Sequence, residues 1–252
     1  MKFQLYSDIH IETRGYFSVP KLDSDLIILA GDIDVGLEGL MWAEELTRLH
    51  KKPVIYIAGN HEYYHHDYIA LTQQMRDFAA NYDYLIFMEK DEVVIDGVRF
   101  LGATLWTNYF HELGEVERDK NIFILDDALY DHRVIKYGNE IFSARKAYEE
   151  HLISAHWLKE RLMTPFDGKT VVITHHGPSS KCNHIEFGTN LYSPGFSSNL
   201  EELVLLTDVW CYGHTHSNLD IELGECRLVS NQAGYRHEKI PMVFRETLAI
   251  TV

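Results

Sequence analysis

The chain has 252 residues, 46% of them apolar and 24% charged, a balance that excludes intrinsic disorder and provides for a substantial core. Its 23 Lys and Arg against 38 Asp and Glu give a formal charge of −15 with no basic cluster, which disfavours long nucleic acid as a partner. No apolar run approaches the roughly 20 residues needed to cross a bilayer, so no membrane partner is expected.

Met1-Lys2 leads directly into Phe3-Gln4-Leu5-Tyr6, without the apolar core and cleavage site of a secretory signal. Cys182, Cys211 and Cys226 are odd in number and lack Cys-x-x-Cys spacing. Reduced thiols in a cytoplasmic protein are the expectation.

In chain order, residues 3–7 read as a strand ending in Asp8-Ile9-His10, and residues 26–30 as a second ending in Gly31-Asp32-Ile33-Asp34. Leu37, Leu40, Met41, Leu46 and Leu49 fall at helical spacings and predict a crossover helix over 37–50. It delivers the apolar strand Val54-Ile55-Tyr56-Ile57-Ala58, bounded by Pro53 and Gly59, into Gly59-Asn60-His61-Glu62. Strand, helix, strand with a short return predicts parallel pairing. Residues 67–80 are helical in pattern, with Ile69, Leu71, Met75, Phe78 and Ala79 as the apolar face. Short strands follow at 85–87, 93–95 and 99–103, the last two joined by the turn signal Asp96-Gly97, so the sheet turns from parallel to mixed.

Residues 104–138 show no helical period and suggest an irregular cap or rim extending to about residue 140. Ile141, Ala144, Tyr148, Leu152, Ala155, Leu158 and Leu162 mark one face of a long helix, closed by Pro165 and Gly168. Residues 170–174 form a strand delivering His175-His176-Gly177-Pro178, and 179–198 a long loop over the same end of the sheet. A short helix at 200–206 precedes a strand at 209–212 that ends in Gly213-His214-Thr215-His216. A hairpin about Gly224-Glu225 and an edge strand at 248–252 complete the chain, which reads as one domain over 1–252.

Ligands of open α/β sheets bind beyond the carboxyl ends of the strands. Five such ends supply Asp8, His10, Asp32, Asn60, His175, His214 and His216. Imidazole nitrogen mixed with carboxylate and amide oxygen suits manganese, iron, zinc, nickel or cobalt better than calcium. No thiolate joins the set, which argues against a structural zinc finger. Seven donors exceed one four-coordinate metal and suit two metals with a shared bridge. Asp-x-His and His-x-His fit such a site if the chain there is extended, because alternate residues then project to one side.

The ordered motifs Asp8-Ile9-His10, Gly31-Asp32, Gly59-Asn60-His61-Glu62, His175 and Gly213-His214-Thr215-His216 resemble the calcineurin-like metallophosphoesterase superfamily. The resemblance implies an α/β sandwich of mixed sheets flanked by helices, with the metal site at the carboxyl ends of the strands. It implies that Asp8, His10 and His216 bind one metal, that Asn60, His175 and His214 bind a second, and that Asp32 bridges them. Manganese or iron are the foremost candidates, with zinc, nickel or cobalt as alternatives. Two such metals, about 3.5–4 Å apart, would acidify a bridging water for attack on phosphorus and clamp the phosphoryl oxygens. His61 would assist the leaving group or stabilise the transition state, a role contributing typically ~10²–10⁴-fold.

The expected substrate is a small phosphomonoester or phosphodiester, with a cyclic nucleotide or nucleic acid strand as alternatives and a non-catalytic scaffold as the rival from another class. Ile33-Asp34-Val35-Gly36 lacks the further Asp and Arg-Gly of the phosphoprotein phosphatase branch, so a dedicated protein phosphatase is disfavoured. His176, Arg133 and Asn108 are candidate substrate contacts, Arg133 because its planar fork suits phosphate. Tyr63 and Tyr64 read as packing groups. His50, His65, His66, His111, His132, His151, His156, His184 and His237 lack motif context and read as surface or supporting positions.

Overall fold

Alternation along strands buried on both faces decides how the layers stack. A computed structural model describes residues 1–110 and 115–252. The first half contains β1 (Lys2–Tyr6), α1 (Ile11–Arg14), β2 (Leu26–Ala30), α2 (Glu38–His50), β3 (Val54–Ile57), α3 (Tyr68–Ala79) and β4 (Leu85–Phe87). Next come β5 (Asp91–Ile95), β6 (Val98–Ala103), α4 (Glu115–Ala128), α5 (Asp131–Val134), β7 (Lys136–Tyr137) and β8 (Glu140–Ile141). The remainder is α6 (Ala144–Met163), β9 (Lys169–Thr174), α7 (Glu201–Val204), β10 (Val209–Tyr212), β11 (Asp220–Leu223), β12 (Cys226–Ser230) and β13 (Ala249–Thr251).

One sheet has the order β13-β1-β2-β3-β4 and the other β11-β12-β10-β9-β6-β5. Each is parallel at its centre and antiparallel at an edge, so the mixed sheets expected from the sequence are present. Leu26, Ile28, Ala30, Ile55 and Ile57 of the first sheet pack face to face with Phe100, Val171, Ile173, Val209 and Cys211 of the second. The alternate residues Ile27, Leu29, Val54 and Tyr56 turn outward, against helix residues that include Leu40, Leu71 and Met75. On the other outer face, Val172, Trp210 and Leu228 meet Leu158 and Leu162 of α6 and Leu203 of α7. The result is helix, sheet, sheet, helix, in which apolar runs have no solvent side. No described helix is long and apolar enough to cross a membrane.

Several sequence expectations change. The 104–138 region contains the helices α4 and α5 and the start of the small β7-β8 hairpin. Helix α4 escaped notice because Ile122 and Leu125 are buried beside the polar Asn121 while Phe123 faces solvent, which scrambles the apolar period. Residues 111–114 of this region, His111 included, lie outside the described residues. Ser143, whose side chain accepts from the Lys146 amide, caps α6 at Ala144, leaving Ile141 in β8. Leu152 on α6, Met41 and Leu49 on α2 and Ile69 on α3 are exposed. Polar residues occupy part of the buried faces instead: His151 and Ser154 on α6, Thr47 and His50 on α2. His50, His132 and His151 are therefore buried rather than surface residues. His132 Nδ1 lies 2.8 Å from the Phe142 carbonyl and its Nε2 2.9 Å from the Tyr109 hydroxyl, so it ties α5 to the start of α6.

Ile28 lies in the inner layer with no exposure. Ile28→Ala is expected to lower the unfolding free energy by about 2–5 kcal/mol, read from urea denaturation with an unchanged slope.

Candidate metal centre

The carboxyl ends of β1, β2, β3, β9 and β10 converge at one rim, and the turns leaving them are tight rather than extended. Asp8, His10, Asp32, His214 and His216 all have positive φ, at 52°, 50°, 53°, 71° and 46°. Non-glycine residues there cost of order 1–3 kcal/mol each and persist only where surroundings enforce them. The extended-chain account of Asp-x-His and His-x-His is thus replaced by left-handed turns that curl both side chains inward.

Hydrogen bonds hold these turns. The Glu62 carboxylate, fully buried, accepts from the amides of Gly59, Asp32 and Ile33 at 2.8, 3.0 and 2.9 Å and from the Tyr56 hydroxyl at 2.7 Å. Burial and the neighbouring Asp32 push this carboxyl up to about 7, and the Ile33 amide and Tyr56 pull against them. Asp8 accepts from the His214 amide at 2.9 Å, binding the β1 end to the β10 end. A Cβ at Gly59 would overlap Asp32 Oδ1 and the His175 ring, and one at Gly213 would overlap Ser7 and Asp8, so both approaches require glycine.

Three overlapping sets of donors result among the described residues, and two of them match the expected pair of ions. Asp8, His10 and His216 offer ligand atoms within 4.8 Å of one another, as do Asp32, His175 and His214. His10 Nε2 lies 3.2 Å from His216 Nε2, and His216 Nε2 lies 3.4 Å from Asp8 Oδ1. Asn60 Oδ1 joins the second group, 3.1 Å from His175 Nε2. Asp32 stands between them, with Oδ1 3.3 Å from His175 Nε2 and Oδ2 3.9 Å from His10 Nε2.

The second nitrogen of three imidazoles is already engaged. His10 Nδ1 meets Glu12 at 3.0 Å, His175 Nδ1 meets the Ala30 carbonyl at 2.9 Å, and His216 Nδ1 meets Glu238 at 2.5 Å. Each Nε2 is thereby turned to the centre, the arrangement expected of histidines that bind metal. The Asn60 amide nitrogen donates to Asp131 at 2.9 Å, which leaves its oxygen facing the other donors.

The electrostatics call for cations. Asp8 and Asp32 are buried, at 0% and 2% exposure. Although burial opposes a charge on His175, Asp32 and Asp8 raise it to about 9, and likewise Asp8 and Glu238 raise His216 to about 10. Burial also opposes ionisation of Asp32, yet the surrounding imidazoles hold it well below the usual carboxylate range. Burial together with His176 and His175 keeps His214 well below the ordinary imidazole range, as a neutral donor. Buried carboxylates that draw protons onto facing imidazoles, with nitrogen and oxygen donors and no thiolate, fit borderline divalent or trivalent metals.

His61 forms the third set with His10 and Asp32, their ligand atoms again within 4.8 Å of one another; its Nδ1 is 3.1 Å from Glu12 and its Nε2 3.2 Å from the Tyr235 hydroxyl. A cavity of about 570 Å³ opens here, reaching Asp32, Asn60, His61, His214 and His216. Of the three candidate substrate contacts, none lines it. His176 is buried, with Nδ1 3.1 Å from the Thr104 carbonyl and its ring against His214. Arg133 is exposed and its guanidinium turns to the Asp127 carbonyl. The Asn108 side chain accepts the Phe110 amide at 3.2 Å. Tyr64 and His184 do line the cavity, Tyr64 bonding Asp131 at 2.8 Å. Sequence reasoning missed Glu12, Asp131, Tyr235 and Glu238; Glu12, two residues beyond His10, carried the one available signal.

Asp131→Ala frees the Asn60 amide to rotate. Its metal affinity is expected to fall about 10–100-fold with little change in thermal midpoint, measured by manganese titration of the apo-protein.

The family model described as calcineurin-like phosphoesterase matches residues 1–218. The uncharacterized protein L509 of Acanthamoeba polyphaga mimivirus is 23% identical over 261 residues, covering 92% of this chain and 91% of that protein. The crystal structure of phosphopantetheinyl hydrolase from Mycobacterium tuberculosis shares the fold with a TM-score of 0.70 at 16% identity, covering 93% of this chain and 89% of that one. With the family matched from β1 through the His214-Thr215-His216 turn, the chain belongs to the calcineurin-like phosphoesterases and is a metal-binding phosphate-ester hydrolase.

Proposed function

We propose that the protein hydrolyses small phosphomonoesters or phosphodiesters at a dinuclear centre bridged by Asp32. The observation that carries this reading is the Asp32 carboxylate, whose two oxygens face different donor groups. Asp8, His10 and His216 would hold one ion, and Asn60, His175 and His214 the other. Such a pair, manganese or iron foremost, supplies an activated water and a clamp for the phosphoryl oxygens.

The chain's own residues do the rest. Glu12 fixes His61 through Nδ1, so that Nε2 faces the cavity. Burial opposes a charge on His61, while Asp32 and Glu12 raise its pKa; with Nδ1 on Glu12, Nε2 is the nitrogen placed to serve the departing oxygen. Before a substrate arrives, the Tyr235 hydroxyl occupies the partner position at that nitrogen. Asp131 keeps the Asn60 oxygen, rather than its amide nitrogen, directed at the second ion. The acidic surface and the limited cavity support a small ester over a nucleic acid strand.

The test is turnover of p-nitrophenyl phosphate, bis-p-nitrophenyl phosphate, cyclic AMP, single-stranded DNA and a phosphopantetheinyl ester, with added manganese. The last is chosen for the name of the mycobacterial relative in fold. Hydrolysis of a small ester is expected; no turnover of any member despite bound metal would favour a scaffold.

His61→Asn is expected to retain full metal while kcat falls about 10²–10⁴-fold; an unchanged kcat would remove its role. Asp32→Ala is expected to lose at least one metal equivalent by elemental analysis, and two full equivalents would contradict the bridge.

A further inference from the structure

The cavity has two unlike walls. One is the donor groups. The other carries Leu129, Tyr130, Phe187, Tyr192 and Phe196, from the turn between α4 and α5 and from the 183–196 loop, which adds the uncharged Asn183, Asn190 and Ser193 and the imidazole of His184. Tyr64 links the two, its ring centroid 4.2 Å from that of His61 and its plane tilted 31° to it.

No lysine or arginine lines the cavity among the described residues. The carboxylates that reach it are engaged: Asp131 accepts from Asn60 and Tyr64, and Glu238 meets His216. At the mouth, Phe187 and Tyr192 are 67% and 51% exposed, and Ile185 and Leu191 beside them are exposed too. Aromatic surface held open next to a reactive centre suits a ligand that covers it. A second anionic group held against that wall would meet no lysine or arginine among the described residues, His184 alone being a possible cation there, and would lose hydration with little to offset it.

Building on the phosphoesterase reading, we propose that the substrate is an ester whose only anionic group is the phosphate cleaved at the metal centre. Its organic part is uncharged and largely apolar, seated on the wall of Tyr130, Phe187, Tyr192 and Phe196. Nucleoside diphosphates and triphosphates, sugar bisphosphates and acidic phosphopeptides are disfavoured on the same ground, since each would bring further anions to a wall without lysine or arginine among the described residues.

The test compares methyl, butyl and hexyl phosphates with a hexyl phosphate carrying a terminal carboxylate, each as monoester and as methyl diester. Primary alkyl leaving groups differ little in basicity, so the series reports on the wall rather than on the bond broken. With about half of the five added methylenes' surface buried, kcat/KM is expected to rise about thirtyfold from methyl to hexyl, and the terminal carboxylate to remove about tenfold of that gain. Phe187→Ala with Tyr192→Ala, both exposed loop side chains, is expected to lower the hexyl-to-methyl ratio about tenfold, with Phe187→Leu less affected. Calorimetry with hexylphosphonate and methylphosphonate, which are not cleaved, should show the same order in affinity without turnover. A flat series, or a carboxylate ester equal to hexyl phosphate, overturns the inference and leaves phosphoesterase activity standing. Loss of turnover across every ester instead removes the phosphoesterase reading, and the inference with it.

Discussion

The structure turns on a carboxylate that cannot be left alone. Asp32 is removed from water at the junction of the two sheets, where an unpaired charge costs several kcal/mol even after relaxation. Its surroundings meet that cost from two sides, with His175 near one oxygen and His10 near the other. The backbone contributes as well, since the His61 amide donates to Oδ1 at 2.9 Å. Other contacts at the rim either bring partners to this carboxylate or prevent them from moving.

That dependence explains why the turns tolerate strained backbone. Left-handed φ at Asp8, His10, Asp32, His214 and His216 is held in place by Glu62, by the glycines that permit close approach, and by the sheets behind them. Behind the donors lies a ring of groups that touch no reacting atom but set orientation: Glu12 on His10, Ala30 on His175, Glu238 on His216 and Asp131 on Asn60. Donors fixed before an ion arrives lose little further freedom on binding it. Here folding energy supports chemistry, because the apolar layers between the sheets hold the turns that the site strains.

The layers and the donor residues were legible in the sequence for separate reasons. Val54-Ile55-Tyr56-Ile57 and Leu26-Ile27-Ile28-Leu29-Ala30 announce strands buried on both faces, and the polar residues after them announce the rim. Apart from Glu12, two residues from His10, the supporting groups that escaped act through a partner distant in the chain. Asp131 meets Asn60 across 71 residues, and Glu238 meets His216 across 22, separations that no local pattern encodes. Helix α4 escaped because its buried face mixes Asn121 with Ile122 and Leu125. Arg133 was attractive for its chemistry alone, and the fold spends it on a backbone carbonyl. The extended geometry assumed for Asp8 and His10 failed because strand β1 ends at Tyr6, before the donors begin.

The account rests on two ions sharing Asp32, and anomalous diffraction from a crystal of the manganese-loaded protein addresses that sharing directly. It predicts two peaks separated by about 3.5–4 Å, one beside His10 and His216, the other beside Asn60 and His175, with the Asp32 carboxylate between them. A single peak at saturating manganese, or two peaks with Asp32 bound to one alone, would contradict it.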